Sequence, residues 1–417
     1  MSSSPIIVVT GANNGIGFGI CRRLLFQLSL AKPTDATPKF ERSGAESLHI
    51  PYPCVGLTLI MACRSTERAE AAKMELLQLF EEDVSQSELH KKDTQHVEDF
   101  RQNLELKIHK LDLASVQSVL HFADELKQTY PYVSHLICNA GVAPFLSINW
   151  WGLAKHLVAD FMGALTNPSY NVQEVGLLSD DHLGWVWQCN VFGHYVLARS
   201  LESLLAASAN DSRGPARVLW MSSLEALPKH FRSDDWQLVK TRDPYQASKY
   251  QIELVGAELD RRALQRPCPP VRHFVVHPGV VYTSIDAKLI GAFLHRVKYY
   301  LFYFVRLIGS IHHNITSWNG SSAAVHVALA SLAYLPMFMS LSTGKVIPNN
   351  EVDEHSRQPP DMTRTRFHAV TTGWDTNSVA VSPICGWREH SEERVQLVDK
   401  CESLYHTFLI AERRTVD

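Results

Sequence analysis

The stretch VVTGANNGIGFGI at residues 8–20 decides the fold. A run of β-branched residues leads through two asparagines into a glycine-rich, helix-like segment, and glycine this dense is costly in regular structure. In a strand-to-helix turn, Gly11 lets the chain bend, Gly15 lets the backbone approach a pyrophosphate, and Gly17 lets the helix pack closely on the strand. The stretch therefore predicts a dinucleotide site, because the helix N-terminus offers free N–H groups to the phosphates.

Strand-like and helix-like segments alternate along most of the chain, which is typical of βαβ units and a parallel sheet. The strand-like runs are IIVVT (6–10), LTLIMACR (57–64), LELKIHKLDL (104–113), SHLICNAG (134–141), ARVLWMSS (216–223) and VRHFVVHPG (271–279). We predict an α/β fold with a doubly wound parallel sheet of the Rossmann type. The expected organisation is one domain over 1–345, with insertions at about 31–56, 142–180, 224–243 and 284–315, followed by a C-terminal extension at 346–417.

Composition argues against several classes of function. The 417 residues include 40 basic and 43 acidic side chains, a net charge of −3, so no excess of positive charge favours nucleic acid. The eight cysteines lack the spacing of a zinc site or a disulfide framework, so we predict no metal and reduced thiols. The first residues have no basic segment before their short apolar run, which argues against a secretory signal.

Arginines near the end of the second strand bear on the choice of cofactor. An acidic residue there would bind the ribose 2′-hydroxyl of NAD(H), whereas arginine accommodates the 2′-phosphate of NADP(H). This chain has Arg64 at that point, Arg68 close by, and Arg22 and Arg23 on the first helix. Because guanidinium matches phosphate in a bidentate manner, the sequence favours NADPH; a solvated surface arginine is the alternative.

The segment YQASK places Tyr245 and Lys249 four residues apart, on one face of a predicted helix. A tyrosine of ordinary pKa is a poor acid–base catalyst at neutral pH, but a nearby ammonium lowers the pKa of the phenol. Lys249 also has the reach to bind cofactor ribose. A serine at the end of the preceding strand, WMSS, could steady a carbonyl oxygen, so the pair predicts carbonyl reduction.

Together these segments resemble the short-chain dehydrogenase/reductase family. The segments that carry the resemblance are TGANNGIG at 10–17, Asp112 after the third strand, NAG at 139–141, Asn190, Ser222 and Ser223, Tyr245 with Lys249, and PG at 278–279. The resemblance implies that Tyr245 is the proton donor and that Lys249 lowers its pKa and binds ribose. It also implies that Ser223 orients the carbonyl, with Ser222 as the alternative, and that Asn190 holds a water that relays protons to Lys249.

The resemblance also implies the cofactor contacts. Asp112 and Leu113 lie against adenine, and Val281 and Thr283 approach the nicotinamide carboxamide. The complete predicted cofactor set is Gly11, Asn13, Gly15, Ile16, Gly17, Arg64, Asp112, Leu113, Asn139, Ala140, Gly141, Tyr245, Lys249, Pro278, Gly279, Val281 and Thr283. One departure from the family pattern is the separation of 22 residues between Ser223 and Tyr245, which implies an extra loop.

A closer resemblance covers most of the chain. The segments at 167–205 and 243–250, with WWGLAKHL at 150–157, are similar to the fungal 3-keto-steroid reductases of sterol C-4 demethylation, relatives of 17-beta-hydroxysteroid dehydrogenase type 7. This implies NADPH-dependent reduction of a sterol 3-ketone to the 3β-alcohol at the endoplasmic reticulum or lipid droplet. The implied partners are a membrane surface, other enzymes of sterol biosynthesis and further copies of the chain. A reductase of retinal or another lipid carbonyl, and a non-catalytic NADP-binding scaffold, remain alternatives.

Two apolar regions suit a large apolar substrate. The insertion at 142–180 and the aromatic stretch at 292–311 both belong near the carboxyl ends of the strands, where ligands of this fold bind. The second stretch contains His295, Arg296, Lys298 and Arg306, which are costly at a bilayer centre but suit a membrane surface. The sequence leaves three readings open for it: an interfacial helix, a lid over an apolar pocket, or ordinary core.

Overall fold

The computed structural model describes residues 4–36, 54–209, 214–283, 287–332, 334–335 and 361–414. The strands of the described chain are β1 Ile6–Thr10, β2 Leu57–Cys63, β3 Leu104–Lys110, β4 His135–Cys138, β5 Phe145–Ile148, β6 Asn171–Gln173, β7 Ala216–Met221, β8 Val271–His277, β9 Val280–Val281, β10 His313–Ile315, β11 Thr365–Thr371 and β12 Asn377–Pro383. Eight of them form one sheet in the order β12-β11-β8-β7-β4-β1-β2-β3, parallel except for β12. The predicted α/β fold with a doubly wound sheet is confirmed.

Helices cover both faces of this sheet. Their bounds are α1 Gly15–Leu28, α2 Thr66–Gln86, α3 Glu88–Lys91, α4 Thr94–Gln102, α5 Val116–Thr129, α6 Trp150–Ala159, α7 Phe161–Thr166, α8 Trp185–Trp187, α9 Gly193–Ser200, α10 Glu202–Ser208, α11 Pro244–Ala263, α12 Ala287–Leu307, α13 Ser317–Gly320, α14 Ser322–Leu329 and α15 Ser391–Ala411. One apolar cluster joins α1, α2, α4 and α14 to the sheet, and a second joins α5, α9, α11 and α15 to its other face. Burial on both faces explains why the central strands are continuous apolar runs rather than alternating ones.

The order in which successive strands are added to the sheet reverses between the parallel strands β1 and β4. From β1 the order runs outward through β2 and β3, and from β4 it runs the other way through β7 and β8. The loops after β1 and β4 therefore diverge and leave a crevice at the carboxyl edge of the sheet. The predicted nucleotide turn and the NAG segment at 139–141 both lie at this crevice.

The predicted boundary at 345/346 lies outside the described residues, but the structure describes how residues 361–414 pack. Strand β11 pairs in parallel with β8, β12 pairs antiparallel with β11, and α15 packs against α11. The described residues 361–414 thus complete the sheet and its core instead of forming an appended unit. Sequence patterns missed this because β11 and β12 follow a long gap in the βα alternation.

The insertions contribute mainly to the carboxyl edge of the sheet. The antiparallel strands β5 and β6 enclose α6 and α7, and we call this unit, residues 145–173, the lid hairpin. Helix α12 lies beside it, and β10 pairs with β9. Residues 224–243 contain the short 3-10 turns Pro228–His230 and Ser233–Asp235. Most of the insertion expected at 31–56 lies outside the described residues.

Candidate active site

The glycine turn has the geometry that its sequence predicts. Gly11 and Gly15 have backbone φ angles of +65° and +55°, values that residues with a side chain rarely adopt. A Cβ at Gly17 would overlap the carbonyl oxygen of Gly11 and lie 2.6 Å from Asn139 Nδ2, so only glycine fits. The Asn14 side chain accepts the Gly15 N–H at 2.7 Å and caps α1. The helix therefore begins at the floor of the crevice.

Thr10 and Asn139 join the two strand ends at the crevice. The hydroxyl oxygen of Thr10 accepts the N–H groups of Asn139 and Ala140, each at 2.9 Å, and Asn139 Nδ2 donates to the Thr10 carbonyl at 2.9 Å. These bonds hold the NAG segment against the glycine turn. Asn139, Ala140 and Gly141 consequently line the same cavity as Gly11 and Gly15.

Ser223, Tyr245 and Lys249 meet at the centre of the crevice. The Ser223 hydroxyl hydrogen-bonds the Tyr245 phenol, and Lys249 Nζ lies 5.8 Å from the centre of the Tyr245 ring. Lys249 Nζ donates to the Met221 carbonyl at 2.9 Å, and burial lowers the pKa of Lys249 to about 8. The arrangement places a proton donor, a hydroxyl and an ammonium along one wall of the cavity.

The pKa of Tyr245 does not follow the sequence expectation. Burial raises the pKa of the phenol, the Glu225 carboxylate raises it further, and the hydrogen bond from Ser223 lowers it. The expected lowering by Lys249 is therefore wrong for this geometry, because loss of solvent outweighs an ammonium that points to Met221. The phenol stays protonated at neutral pH, which is the state a proton donor needs.

The two candidate serines have different surroundings. Ser222 is buried, and its hydroxyl donates to Glu253 Oε1 at 2.7 Å. Ser223 is half-buried, lines the cavity and contacts the phenol. Both serines line the cavity, but Ser223 is the one that hydrogen-bonds the Tyr245 phenol. The difference arises because successive residues after a strand point to opposite sides.

Asn190 lies behind the cavity in a π-helical turn, Gln188–Phe192, between α8 and α9. Its side chain accepts the Val142 N–H at 2.7 Å and donates to the Val142 carbonyl at 3.0 Å and to Ser248 Oγ at 2.9 Å. The amide thus ties the start of the 142–180 insertion to the helix that carries Tyr245. These contacts use both the oxygen and the nitrogen of the Asn190 amide. They do not test the predicted water relay to Lys249, which stays a prediction.

The predicted contacts for adenine and the 2′-phosphate lie at the outer end of the crevice. Arg64 is exposed and has no carboxylate partner among the described residues. Arg22 and Arg23, by contrast, form ion pairs with Asp83 and Asp35. Further along this edge the Asp112 carboxylate accepts the Ala114 N–H at 3.0 Å, and Leu113 is buried in the core. Unlike Arg22 and Arg23, Arg64 has a guanidinium that no carboxylate of the described chain engages.

A cavity of about 650 Å³ extends from the glycine turn to the lid hairpin and α12. Asn13, Ile16, Pro278, Val281 and Thr283 line its inner part. Gly279 completes that wall with φ of +69°, where a Cβ would lie 2.5 Å from Asn314 Nδ2. The outer part is apolar, lined by Ile148, Trp150, Leu153, Leu157, Leu294 and Leu301.

Three residues of the site were missed by sequence reasoning. Gln173 accepts the backbone N–H of Tyr245 at 3.0 Å, and Gln246 bridges Gln173 to Glu225. Glu225 lines the cavity beside Tyr245. Gln246 lies inside the YQASK segment, but a glutamine there gives no sequence signal of a role in the site. Gln173 lies 72 residues before Tyr245, on the lid hairpin. Only the folded chain brings these amides together.

The residues of this crevice fit a nicotinamide dinucleotide. The turn at 11–17 leaves the N-terminus of α1 open to the cavity, with only Thr283 Cγ2 near a Cβ built at Gly15, at 3.7 Å. An exposed arginine lies at one end and the Tyr245–Lys249 pair at the other. A dinucleotide laid across the carboxyl edge in this fold would have its pyrophosphate at that helix and its nicotinamide at Tyr245.

Two similar proteins found by sequence comparison share the description 3-keto-steroid reductase. No family model matches the chain. The 3-keto-steroid reductase of Candida glabrata is 31% identical over 323 residues, which is 78% of this chain and 79% of that protein. The 3-keto-steroid reductase of Kluyveromyces lactis is 27% identical over 79% of this chain and 81% of its own length. Among solved structures, salutaridine reductase from Papaver somniferum is 17% identical, with a TM-score of 0.47 over 78% of this chain and 96% of its own.

The Candida glabrata relative is more than 30% identical to this chain, and the match spans more than two thirds of both proteins. The chain therefore belongs to the 3-keto-steroid reductase family.

Proposed function

We propose that this protein reduces a sterol 3-ketone, a 4-methyl intermediate of ergosterol-type biosynthesis, to the 3β-alcohol with NADPH. The observation that carries the proposal is the position of Tyr245 and Ser223, which lie at the junction between a dinucleotide crevice and an apolar cavity. The similarity to proteins named 3-keto-steroid reductase supports the substrate class. A cavity with apolar walls and few polar groups suits a sterol whose single reacting oxygen must reach Tyr245.

The chain's own residues account for the proton chemistry. NADPH, when bound, supplies the hydride for the ketone carbon. Ser223 donates a hydrogen bond to the ketone oxygen and Tyr245 gives that oxygen its proton, so negative charge on the oxygen is neutralised as it forms. Lys249 lines the cavity and binds the ribose hydroxyls of the cofactor. Reduction draws on a protonated Tyr245, which agrees with the raised pKa of the phenol.

Preference for NADPH follows from the free guanidinium of Arg64. Arg68 is also exposed and makes no ion pair within the described chain, whereas Arg22 and Arg23 are already paired with carboxylates. A 2′-phosphate beyond β2 would meet Arg64 without breaking an internal ion pair. A cationic side chain there favours NADPH over NADH because the phosphate adds charge only to the former.

Turnover separates this proposal from its alternatives. Purified protein with NADPH and a 4-methyl sterol 3-ketone should oxidise NADPH, and Tyr245→Phe should lower kcat/KM by about 10³-fold because it removes the proton donor. Ready reduction of retinal with no turnover of sterol ketones would contradict the sterol assignment. Tight NADPH binding without turnover of any carbonyl would instead indicate a scaffold.

We further propose that the protein acts as a peripheral protein on the cytosolic face of the endoplasmic reticulum, or on lipid droplets. On α12 the outward face exposes Phe293, Tyr300 and Phe304, with exposed fractions of 79, 66 and 52%. Trp151 on the neighbouring α6 is 70% exposed. Such aromatic side chains next to basic ones suit a bilayer interface. Of the helices that the structure describes, none has the length and apolar character to cross a bilayer.

The same helix also supports the lid interpretation. Leu294, Leu301 and Phe302 of α12 line the cavity, whereas Phe293, Tyr300 and Phe304 are exposed. Arg306, which the sequence suggested as an interfacial cation, is buried and pairs with Asp375. One helix can therefore cover the substrate on one face and contact lipid on the other.

Cell fractionation tests the membrane proposal. Replacing Phe293, Tyr300 and Phe304 together by serine should move the protein from the membrane to the soluble fraction, with unchanged NADPH binding. Three exposed apolar residues elsewhere, Met74, Leu264 and Ile410, replaced together by serine provide the matched control. Equal membrane association of both triple variants would contradict the proposal.

A further inference from the structure

The N-terminus of helix α11, which carries Tyr245, is capped from outside the helix. Asp243 occupies the capping position but its side chain makes no capping hydrogen bond, because it faces His230 at 3.2 Å. The Tyr245 N–H, one of the donors left open at a helix start, instead donates to Gln173 Oε1 at 3.0 Å. Gln173 is the last residue of β6, so the lid hairpin supplies a cap that sequence-local residues do not.

Gln173 is one member of a chain of side-chain hydrogen bonds. Its Nε2 donates to Gln246 Oε1 at 2.6 Å, and Gln246 Nε2 donates to Glu225 Oε2 at 2.8 Å. The Glu225 N–H in turn donates to Ser223 Oγ at 3.2 Å. Both glutamines are buried, so neither amide can exchange its partners for water.

The direction of every bond in this chain is fixed by its ends. The ionised Glu225 carboxylate only accepts, and the Tyr245 N–H only donates. Rotating either amide by half a turn would face two oxygens or two N–H groups across a buried contact. The lid hairpin, the loop that carries Ser223 and the first turn of α11 therefore have one mutual arrangement that satisfies all their polar groups.

Aromatic packing adds a second contact between the hairpin and the proton donor. The Phe145 ring lies 6.0 Å from the Tyr245 ring at 59°. Other hairpin residues, Ile148, Leu153 and Leu157, line the apolar part of the cavity. A large apolar substrate seated there would press on the same unit that caps the helix of Tyr245.

We propose that Gln173, Gln246 and Glu225 are positioning residues that couple the seating of an apolar substrate under the lid hairpin to the placement of Tyr245 and Ser223. The inference rests on the proposed sterol reduction. Binding energy from the apolar body of the substrate is then used to orient the proton donor, and it raises kcat instead of only lowering KM. A small ketone, which cannot contact the hairpin, gains none of this.

Steady-state kinetics on the full chain tests the coupling. We expect Gln173→Leu to lower kcat for a 4-methyl sterol 3-ketone about tenfold, with KM and the NADPH Kd changed less than about twofold. For a small cyclic ketone, kcat should change little, so the preference in kcat for the sterol ketone should collapse. Gln251→Leu is the matched control, because Gln251 is a buried glutamine of the same helix whose Nε2 donates to the Trp236 carbonyl at 3.0 Å, apart from this chain.

Variants of Glu225, at the other end of the hydrogen-bonded chain, distinguish the loss of a hydrogen bond from the loss of a charge. A second variant of Gln173 guards against misfolding. Glu225→Gln retains an oxygen for Gln246 and should keep kcat within about threefold, whereas Glu225→Leu should lose about as much as Gln173→Leu. Gln173→Asn preserves a polar hairpin but is one methylene too short to reach both partners, so it serves if the leucine variant does not fold. Unchanged kcat for the sterol ketone in Gln173→Asn and Glu225→Leu overturns the inference. No turnover by the wild-type protein overturns the proposed function instead.

Discussion

The crevice at the carboxyl edge and the lid hairpin with α12 differ in how their residues are held. In the crevice, backbone geometry dominates: Gly17 fits only without a side chain, and Thr10 and Asn139 are fixed by bonds of 2.9 Å. The lid hairpin, in contrast, exposes large apolar side chains such as Trp151. Short sequence motifs fix the backbone of the half that would hold the cofactor. The half that would hold an apolar substrate is defined instead by the apolar side chains of the hairpin and α12.

Gly17→Ala tests the rigid half and should have the largest effect. Its Cβ would overlap the Gly11 carbonyl, so we expect a loss of about 2 kcal/mol in the free energy of unfolding and roughly thirtyfold weaker NADPH binding. Urea unfolding and NADPH fluorescence titration measure the two. Gly373→Ala is the control, because the nearest atom to its Cβ is 3.7 Å away. Equal effects at the two positions would contradict the close packing.

The pH dependence of NADPH binding tests the junction between the two halves. Because burial lowers the pKa of Lys249 to about 8, its ammonium is largely present at pH 7, half lost at about pH 8 and lost above that. We expect the NADPH Kd to be lowest at pH 7 and below, to increase about twofold by pH 8, and to rise by up to about tenfold per pH unit beyond. Lys249→Met should abolish this dependence, and a wild-type Kd that is flat to pH 10 would show that Lys249 does not contact the ribose.

Arg64→Ala tests the outer end of the crevice. Removing the guanidinium should weaken NADPH binding about tenfold and leave NADH binding unchanged, because only NADPH carries the 2′-phosphate. Arg22→Ala is the comparison. Because Arg22 is paired with Asp83, its replacement should lower the stability of the protein more than it changes the preference between NADPH and NADH. A similar loss for NADH and NADPH in Arg64→Ala would argue against the assigned contact.

Leu157→Ala tests the apolar half and should have the smallest effect. Losing part of one side chain from the cavity wall should raise KM for the sterol ketone about fivefold without changing the NADPH Kd. Val158→Ala, at the exposed neighbour, should leave KM unchanged. If NADPH binding weakens in Leu157→Ala, the two halves are not independent in the way their contacts indicate.

Particular residues show how far sequence reasoning reaches. The glycine turn, the NAG segment and the Tyr245–Lys249 pair could be predicted because their chemistry depends on residues that are close in sequence. Ser222 and Ser223 could not be separated, since the choice depends on whether Glu253, on α11, takes the hydroxyl. The contribution of β11 to the sheet was missed for the same reason, because it pairs with a strand about 90 residues earlier.

The sequence by itself determined the fold class, the dinucleotide turn and the reacting pair, because local backbone requirements and four-residue helical spacing are written in consecutive residues. The tertiary structure alone decided which serine contacts the Tyr245 phenol, which arginines are already paired with carboxylates and which residue caps the helix of Tyr245. Those choices depend on partners such as Glu253, Asp83 and Gln173, which come from distant segments. Competition among polar groups for a limited number of buried partners is settled only when the chain is packed.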